Sequence, residues 1–248
     1  MLKKKLAENP ARPVLGTWLS IGSPDVVDIL KNLDFDWFVI DTEHSYISME
    51  VAKTMLQVLG DHPRQTPLVR VGINDQLLIK KALDIGAQGI VVPLVNSAEE
   101  AERAVSYAMY PPSGVRGAAG TRASRYGMNL GNYLRGANRD LVVAVQLETT
   151  RAISSAEEIL ATRGVDIGFV GPTDLTMSLG LIDDRNNAKV IEAMQRVVKA
   201  CEKHGKVPGT MAVSVEEARK WISLGFRFVS LASDAKHLIA GAQGFLRL

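Results

Sequence analysis

The feature that most constrains this chain is a rhythm. Short apolar runs rich in Val, Ile and Phe recur at 14–19, 37–40, 68–71, 89–93, 141–147, 167–170, 207–211 and 228–231, and nearly every run is followed by a segment of helical period. Uninterrupted apolar runs of this length, bounded by polar turns, are what strands buried on both faces look like. The helical segments carry their own start and stop signals. Ser97-Ala98-Glu99-Glu100 and Ser214-Val215-Glu216-Glu217 open like capping boxes, Asp75 suits the cap of a helix running to about Leu83, and Gly86 and Gly164 suit helix exits. Eight strand-helix units in 248 residues predict a single (β/α)8 TIM barrel domain over residues 1–248. A doubly wound open sheet is the competing arrangement, but its glycine-rich phosphate turn after the first strand is missing.

Composition removes several function classes. A formal charge of +2 is too small for a nucleic-acid partner. No apolar run approaches the roughly 20 residues that span a bilayer, so no membrane association is expected. Lys3, Lys4 and Lys5 make a basic start with no apolar signal core behind it, which reads as a solvated terminus of a protein that is not exported. Cys201 is the single cysteine and has no internal partner, which fits a reducing, cytoplasmic location.

The longest stretch without periodicity runs from Tyr110 to about Asn138 and contains Arg116, Arg122 and Arg125 among many glycines. A loop this long in a compact domain is usually functional or an interface. It follows a helix over Ala98–Ala108, so it starts near the bottom of the barrel. Subunit contact and substrate binding are both open to it.

Barrel chemistry sits at the C-terminal ends of the strands, and there the sequence gathers charge. Asp41-Thr42-Glu43-His44 follows the second run, Arg70 ends the third, Gln146 and Glu148 end the fifth, and Asp174 follows the sixth. A carboxylate at the end of a buried strand is costly unless something compensates it. A single one is often a helix cap, and Asp174 could cap or simply sit at a helix start. Two on neighbouring strands, Glu148 and Asp174, most economically share a hard divalent cation and leave positions for water and substrate. Asp41 and Glu43 could hold that cation's waters. His44 is the one strand-end histidine and suits a general base; His62, His204 and His237 occupy a polar turn, a helix exit and the last helix. Arg70 could stand beside a developing oxyanion. An imine-forming aldolase needs a strand-end lysine, and the lysines here lie on helices or turns, Lys206 before the seventh strand at the wrong end. Without a histidine pair or cysteine set, magnesium, manganese or cobalt fits better than zinc.

Taken together, Asp41-x-Glu43-His44, Arg70, Tyr110-Pro111-Pro112-x-Gly114-x-Arg116-Gly117, Gln146-x-Glu148-Thr149 and Gly171-Pro172-x-Asp174-Leu175 resemble the HpcH/HpaI family of class II pyruvate aldolases, over nearly the whole chain from about Leu15. The resemblance implies metal-dependent aldol cleavage of 4-hydroxy-2-oxo acids to pyruvate and an aldehyde through the pyruvate enolate. It implies a divalent metal (Mg2+, Mn2+ or Co2+) on Glu148 and Asp174, with the 2-oxo acid chelated to it. It makes His44 the acid–base residue and puts Arg70 on the keto oxygen. Substrate contacts are implied at Gln146, Gly171, Pro172, Thr173 and, towards the aldehyde, Arg122. It also implies that Asp84, in Leu83-Asp84-Ile85-Gly86, pairs with the histidine; at a helix exit on the bottom face it could do so only across a subunit boundary. A homo-oligomer follows, a hexamer of the trimer-of-dimers type, in which the last helix, over about 235–245, exchanges between subunits. The segment before Arg122-Ala123-Ser124-Arg125 is slightly shorter than in the family, so the aldehyde does not transfer. Another metal–enolate reaction at the same site, such as a citrate-synthase-like condensation or a decarboxylation, and non-catalytic oxo-acid binding are the alternatives.

Overall fold

In the computed structural model, which describes residues 2–8, 12–60, 64–182 and 184–247, the strands are β1 (Val14–Leu19), β2 (Trp37–Asp41), β3 (Thr66–Arg70), β4 (Gly89–Val92), β5 (Val142–Gln146), β6 (Ile167–Val170), β7 (Val207–Ala212) and β8 (Phe228–Ser233). They are parallel, each pairs with the next, and β8 closes on β1. The helices are α1 (Leu2–Glu8), α2 (Pro24–Leu30), α3 (Met49–Leu59), α4 (Gln76–Asp84), α5 (Ala98–Ala108), α6 (Leu130–Asp140), α7 (Thr150–Ser154), α8 (Ala156–Ala161), α9 (Pro172–Ser178), α10 (Ala188–Lys203), α11 (Val215–Ser223) and α12 (Asp234–Phe245). The expected (β/α)8 barrel is what the chain forms. Ser97, Ser214 and Asp75 cap α5, α11 and α4 as their positions predict.

Alternation along each strand divides the core in two. Outward residues such as Phe38, Ile40, Val69 and Val143 pack under the helices, while Val14, Trp37, Val39, Leu68, Val91, Val142, Ile167, Phe169 and Phe228 fill the barrel. Trp37 stacks on Phe228 with ring centroids 3.9 Å apart. The ring lies across Gly16, where a Cβ would come within 2.0 Å of it, so only glycine lets this layer close. Continuing the same alternation one step up each strand brings Asp41, Arg70 and Gln146 to the barrel's upper layer.

Three expectations need correction. The basic N-terminus is not a solvated tail: it forms α1, whose Leu2 and Leu6 are buried in the interior cluster and close the barrel's bottom. Its lysines are anchors, Lys3 on Asp166 at 3.0 Å and Lys5 on Asp36 at 2.6 Å and on the Arg64 carbonyl. A start read only for charge hides the leucine pair one helical turn apart. Next, 110–138 is not irregular throughout. It holds a short 3-10 turn (Arg122–Ser124) and α6, whose apolar residues Leu130, Tyr133, Leu134 and Ala137 keep helical spacing but are only half-buried, with Gly131 and Gly136 set among them. Asn138 closes this excursion on itself by accepting from Tyr110 N and donating to Tyr110 O. The third correction concerns Arg122. It donates to Leu56 O and Ile85 O at the lower ends of α3 and α4, so within one chain it clamps the bottom of the barrel rather than reaching the strand tips.

Candidate active site

At the top of the barrel a cavity of about 210 Å3 is lined by Trp18, Asp41, Arg70, Gln146, Gly171 and Asp174, with Pro172, Thr173, Ser20, Phe169, Met211 and Ser233 completing its wall. Arg70 is its fixed positive charge. Asp41 takes it in a fork, Oδ1 accepting from Nε at 2.9 Å and Oδ2 from Nη2 at 2.7 Å, and Glu43 Oε2 stands 2.9 Å from Nη1. The guanidinium lies 4.5 Å from the Trp18 ring centroid. The β2–β3 register that sets Asp41 opposite Arg70 makes the fork possible. Asp41 also accepts from the N–H groups of Glu43 and His44, which turns the chain sharply at the strand tip. Asp41 is thus spent on holding Arg70 and on the turn.

Glu148 is 3 % exposed. Its Oε1 accepts from Leu94 N at 3.0 Å and its Oε2 from Gln146 Nε2 at 2.7 Å. Leu94 presents that N–H from a left-handed backbone, φ 52°, which a β-carbon makes costly. Burial pushes the Glu148 carboxyl up to about 7; the Leu94 N–H and Arg70 oppose the rise, while the Asp174 and Glu43 carboxylates add to it. Glu43 is also raised, by burial first, against the pull of Arg70 and His44. This end of the barrel therefore holds more negative charge than Arg70 answers.

Asp174 stands in the first turn of α9, after Gly171 and Pro172. The space between the two carboxylates is a cradle. A Cβ on Gly171 would lie 2.9 Å from Glu148 Oε2, 3.4 Å from Asp174 Oδ2 and 3.7 Å from Gln146 Nε2. The buried Gln146 Oε1 beside it has no hydrogen-bond partner in the structure. Two carboxylate oxygens facing one small space, a carboxyl raised by burial and by its neighbouring carboxylates, and an unanswered amide oxygen fit a hard divalent cation. Among the described residues no group of three or more His, Cys, Asp and Glu converges, so further positions around such an ion would belong to water and substrate.

His44 sits at the rim with its side chain 64 % exposed, its Nε2 3.9 Å from Glu43 Oε2. Asp84 is not brought to it within the chain. At the lower end of α4 its Oδ1 accepts from Arg116 Nη2 at 2.8 Å, and Arg116, 2 % exposed, lies 4.5 Å from the Tyr110 ring centroid. His204 ends α10, His237 contacts Thr17 Oγ1 from α12, and His62 lies outside the described residues. Sequence reasoning missed Trp18 and Leu94. The first was legible as the inward position two beyond Gly16; the second carries no signal, because nothing in its residue type announces a left-handed backbone.

The chain matches the family described as HpcH/HpaI aldolase/citrate lyase over residues 15–241. It is 38 % identical over 252 residues, 99 % of this chain and 96 % of the relative, to the hydroxypyruvate/pyruvate aldolase of Paraburkholderia phytofirmans. It is 36 % identical over 241 residues, 96 % of this chain and 91 % of the relative, to the 4-hydroxy-2-oxo-heptane-1,7-dioate aldolase of Escherichia coli. Among solved structures, a family protein from Burkholderia cenocepacia J2315 superposes with a TM-score of 0.95 at 34 % identity, covering 99 % of this chain and 97 % of that one. The citrate synthase SbnG superposes with a TM-score of 0.87 at 26 % identity, covering 99 % of this chain and 95 % of that one. Barrel, strand-tip residues and full-length similarity agree with the expected enzyme class, and the chain belongs to the HpcH/HpaI aldolase/citrate lyase family.

Proposed function

We propose that the chain cleaves 4-hydroxy-2-oxo acids to pyruvate and an aldehyde, and runs the reverse condensation, at the top of its barrel with a divalent cation on Glu148 and Asp174. The observation that carries the reading is the cradle at Gly171, where both carboxylates face one space beside Arg70. The ion, Mg2+, Mn2+ or Co2+, supplies Lewis-acid polarisation of the keto group when bound.

The chain's residues have the following tasks. Cleavage breaks C3–C4: the C4 hydroxyl loses its proton and becomes the aldehyde carbonyl, the bond electrons pass to C3 as the enolate, and C3 then takes a proton to become the pyruvate methyl. Arg70 offers its remaining N–H groups to the oxygen that becomes negative, and its fork with Asp41 keeps it in place as charge develops. Trp18 and Phe169 wall the cavity against water. His44 Nε2, at the rim and 3.9 Å from Glu43 Oε2, moves the proton between the C4 oxygen and water. Gln146 Nε2 orients Glu148, and Gly171, Pro172 and Thr173 form the wall along which the substrate lies.

Assembly belongs to the same proposal. His44 and Asp84 lie at opposite ends of the barrel, and α12 leaves Leu238, Ile239 and Phe245 exposed; a homo-oligomer, a hexamer with α12 exchanged, would bring the first pair together and cover the second group. The place of work is cytoplasmic in this reading, in keeping with Cys201 as a buried free thiol. The likeness to the citrate synthase SbnG favours one second reading, a different metal–enolate condensation at the same site, in which the enolate of an acyl thioester adds to the keto carbon of an oxo acid. Pyruvate release from a panel of 4-hydroxy-2-oxo acids, with and without chelator, tests the proposal. Cation-dependent release supports it, and a loaded protein that releases no pyruvate from any of them while consuming an acyl thioester selects the second reading.

A further inference from the structure

Arg122, the arginine implied near the aldehyde, lies within one chain at the other end of the barrel. A different arginine reaches the mouth. Arg185, between α9 and α10, donates through Nη2 to Thr173 Oγ1, and Thr173 forms part of the cavity wall next to Asp174. Its Nη1 faces Glu217 at 3.4 and 3.5 Å. Those are long for a charge-assisted bond, which settles nearer 2.7–2.9 Å. The close bond of Glu217 goes elsewhere, Oε2 accepting from Val213 N at 2.6 Å. Arg185 is therefore held in place by two partners while its guanidinium charge is only loosely answered.

Charge at the mouth gives this position a use. Four carboxylates, Asp41, Glu43, Glu148 and Asp174, gather there around the one guanidinium of Arg70, an imbalance of charge. A divalent ion reduces it, and an oxo-acid carboxylate adds to it again. A second carboxylate on the substrate is repelled by this mouth unless a further cation meets it. The cavity, about 210 Å3, is small for a long substrate, so a tail must run out along a wall. The wall through Trp18, Ser20, Met211 and Ser233 is uncharged; the one through Thr173 ends at Arg185.

We propose that Arg185 is a specificity determinant that binds a carboxylate on the tail of the aldehyde half, so that the acceptor is a short aldehyde with a terminal carboxylate. The proposal rests on the aldol reading of the same mouth. A planar guanidinium with free N–H edges matches a carboxylate in a two-bond fork, which an ammonium cannot.

The test is aldol addition of pyruvate to succinic semialdehyde and to butanal, two four-carbon aldehydes that differ by the carboxylate, catalysed by the full chain with Mn2+. The quantity read is the ratio of kcat/KM, acid over neutral. Arg185→Ala lowers the ratio about tenfold to a hundredfold, through KM for the acid aldehyde. Arg185→Lys restores part of it. Glu217→Gln, which keeps an acceptor for Val213 N and removes the competing charge, raises it. A ratio unchanged in Arg185→Ala, or moved in one direction by both Arg185→Ala and Glu217→Gln, overturns the assignment. Exchange of the pyruvate methyl protons into deuterium separates this from failure of the underlying reading. A wild type that exchanges but shows a flat ratio overturns Arg185 alone, and one that neither exchanges nor adds an aldehyde overturns both.

Discussion

The two ends of the barrel use the same residue types to opposite effect. At the bottom, Asp36 and Asp166 each receive a lysine from α1, Lys5 and Lys3, and an N–H from the neighbouring strand, Leu15 N and Val143 N. At the top, Asp41 is answered in full by Arg70, but Glu43, Glu148 and Asp174 have between them only what Arg70 leaves over. Asp166 is raised by burial, and Lys3 pulls it back; Glu148 is left at about 7. One end is closed and serves stability. The other carries an uncompensated charge, the condition under which a carboxylate group binds a cation rather than merely tolerating burial.

That contrast can be broken from either end. The largest effect is expected at Glu148 and Asp174: replacing either by Ala lowers cation-dependent pyruvate release by more than about 10³-fold, and isothermal titration then records no Mn2+ binding at the mouth. His44→Ala comes next, at about 10²–10⁴-fold in kcat, with Mn2+ affinity retained. A variant that lost both activity and affinity would move His44 from proton transfer to holding the ion. The bottom responds in a different quantity. Removing residues 1–8 forfeits the burial of Leu2 and Leu6 in the interior cluster, about 1.5–3 kcal/mol each. Denaturant unfolding should show that loss while kcat of the folded protein holds, and an unchanged midpoint would return α1 to the role of a solvated tail.

The smallest effect is one of pH. Burial pushes the Glu148 carboxyl up to about 7 in the folded chain, from 4.5 for a solvated glutamate. A raised acid contributes its stability below about 4.5 and loses it as pH climbs through about 7, where the buried carboxylate ionises unpaired. A cation reverses that cost, and it binds the ionised form only. The rise in Tm produced by Mn2+ should therefore be larger at pH 8 than at pH 6; equal shifts would separate the ion from Glu148.

Most of the fold was legible because burial on both faces leaves uninterrupted apolar runs, and all eight expected runs became strands. The strand tips were legible for the same reason: Asp41, Arg70 and Gln146 are polar residues on inward positions, where an apolar one would otherwise stand. What escaped had a broken one-dimensional signal or none. α6 keeps helical spacing at Leu130, Tyr133, Leu134 and Ala137, but Gly131 and Gly136 inside it read as loop. Arg122 and Arg185 look alike in the chain, and only the closed barrel puts one at the bottom and the other at the mouth. The Leu94 N–H aimed at Glu148 depends on a backbone conformation that leucine does not advertise.

The central claim is that the top of the barrel forms a pyruvate enolate with the help of an ion on Glu148 and Asp174. Proton NMR of pyruvate in deuterium oxide tests this without knowledge of the aldehyde. The account predicts that the methyl signal decays with protein and Mn2+, persists with chelator, and persists with Glu148→Ala whether or not the ion is added. Equal decay with and without chelator, or a methyl signal that survives the loaded wild-type protein, would contradict it.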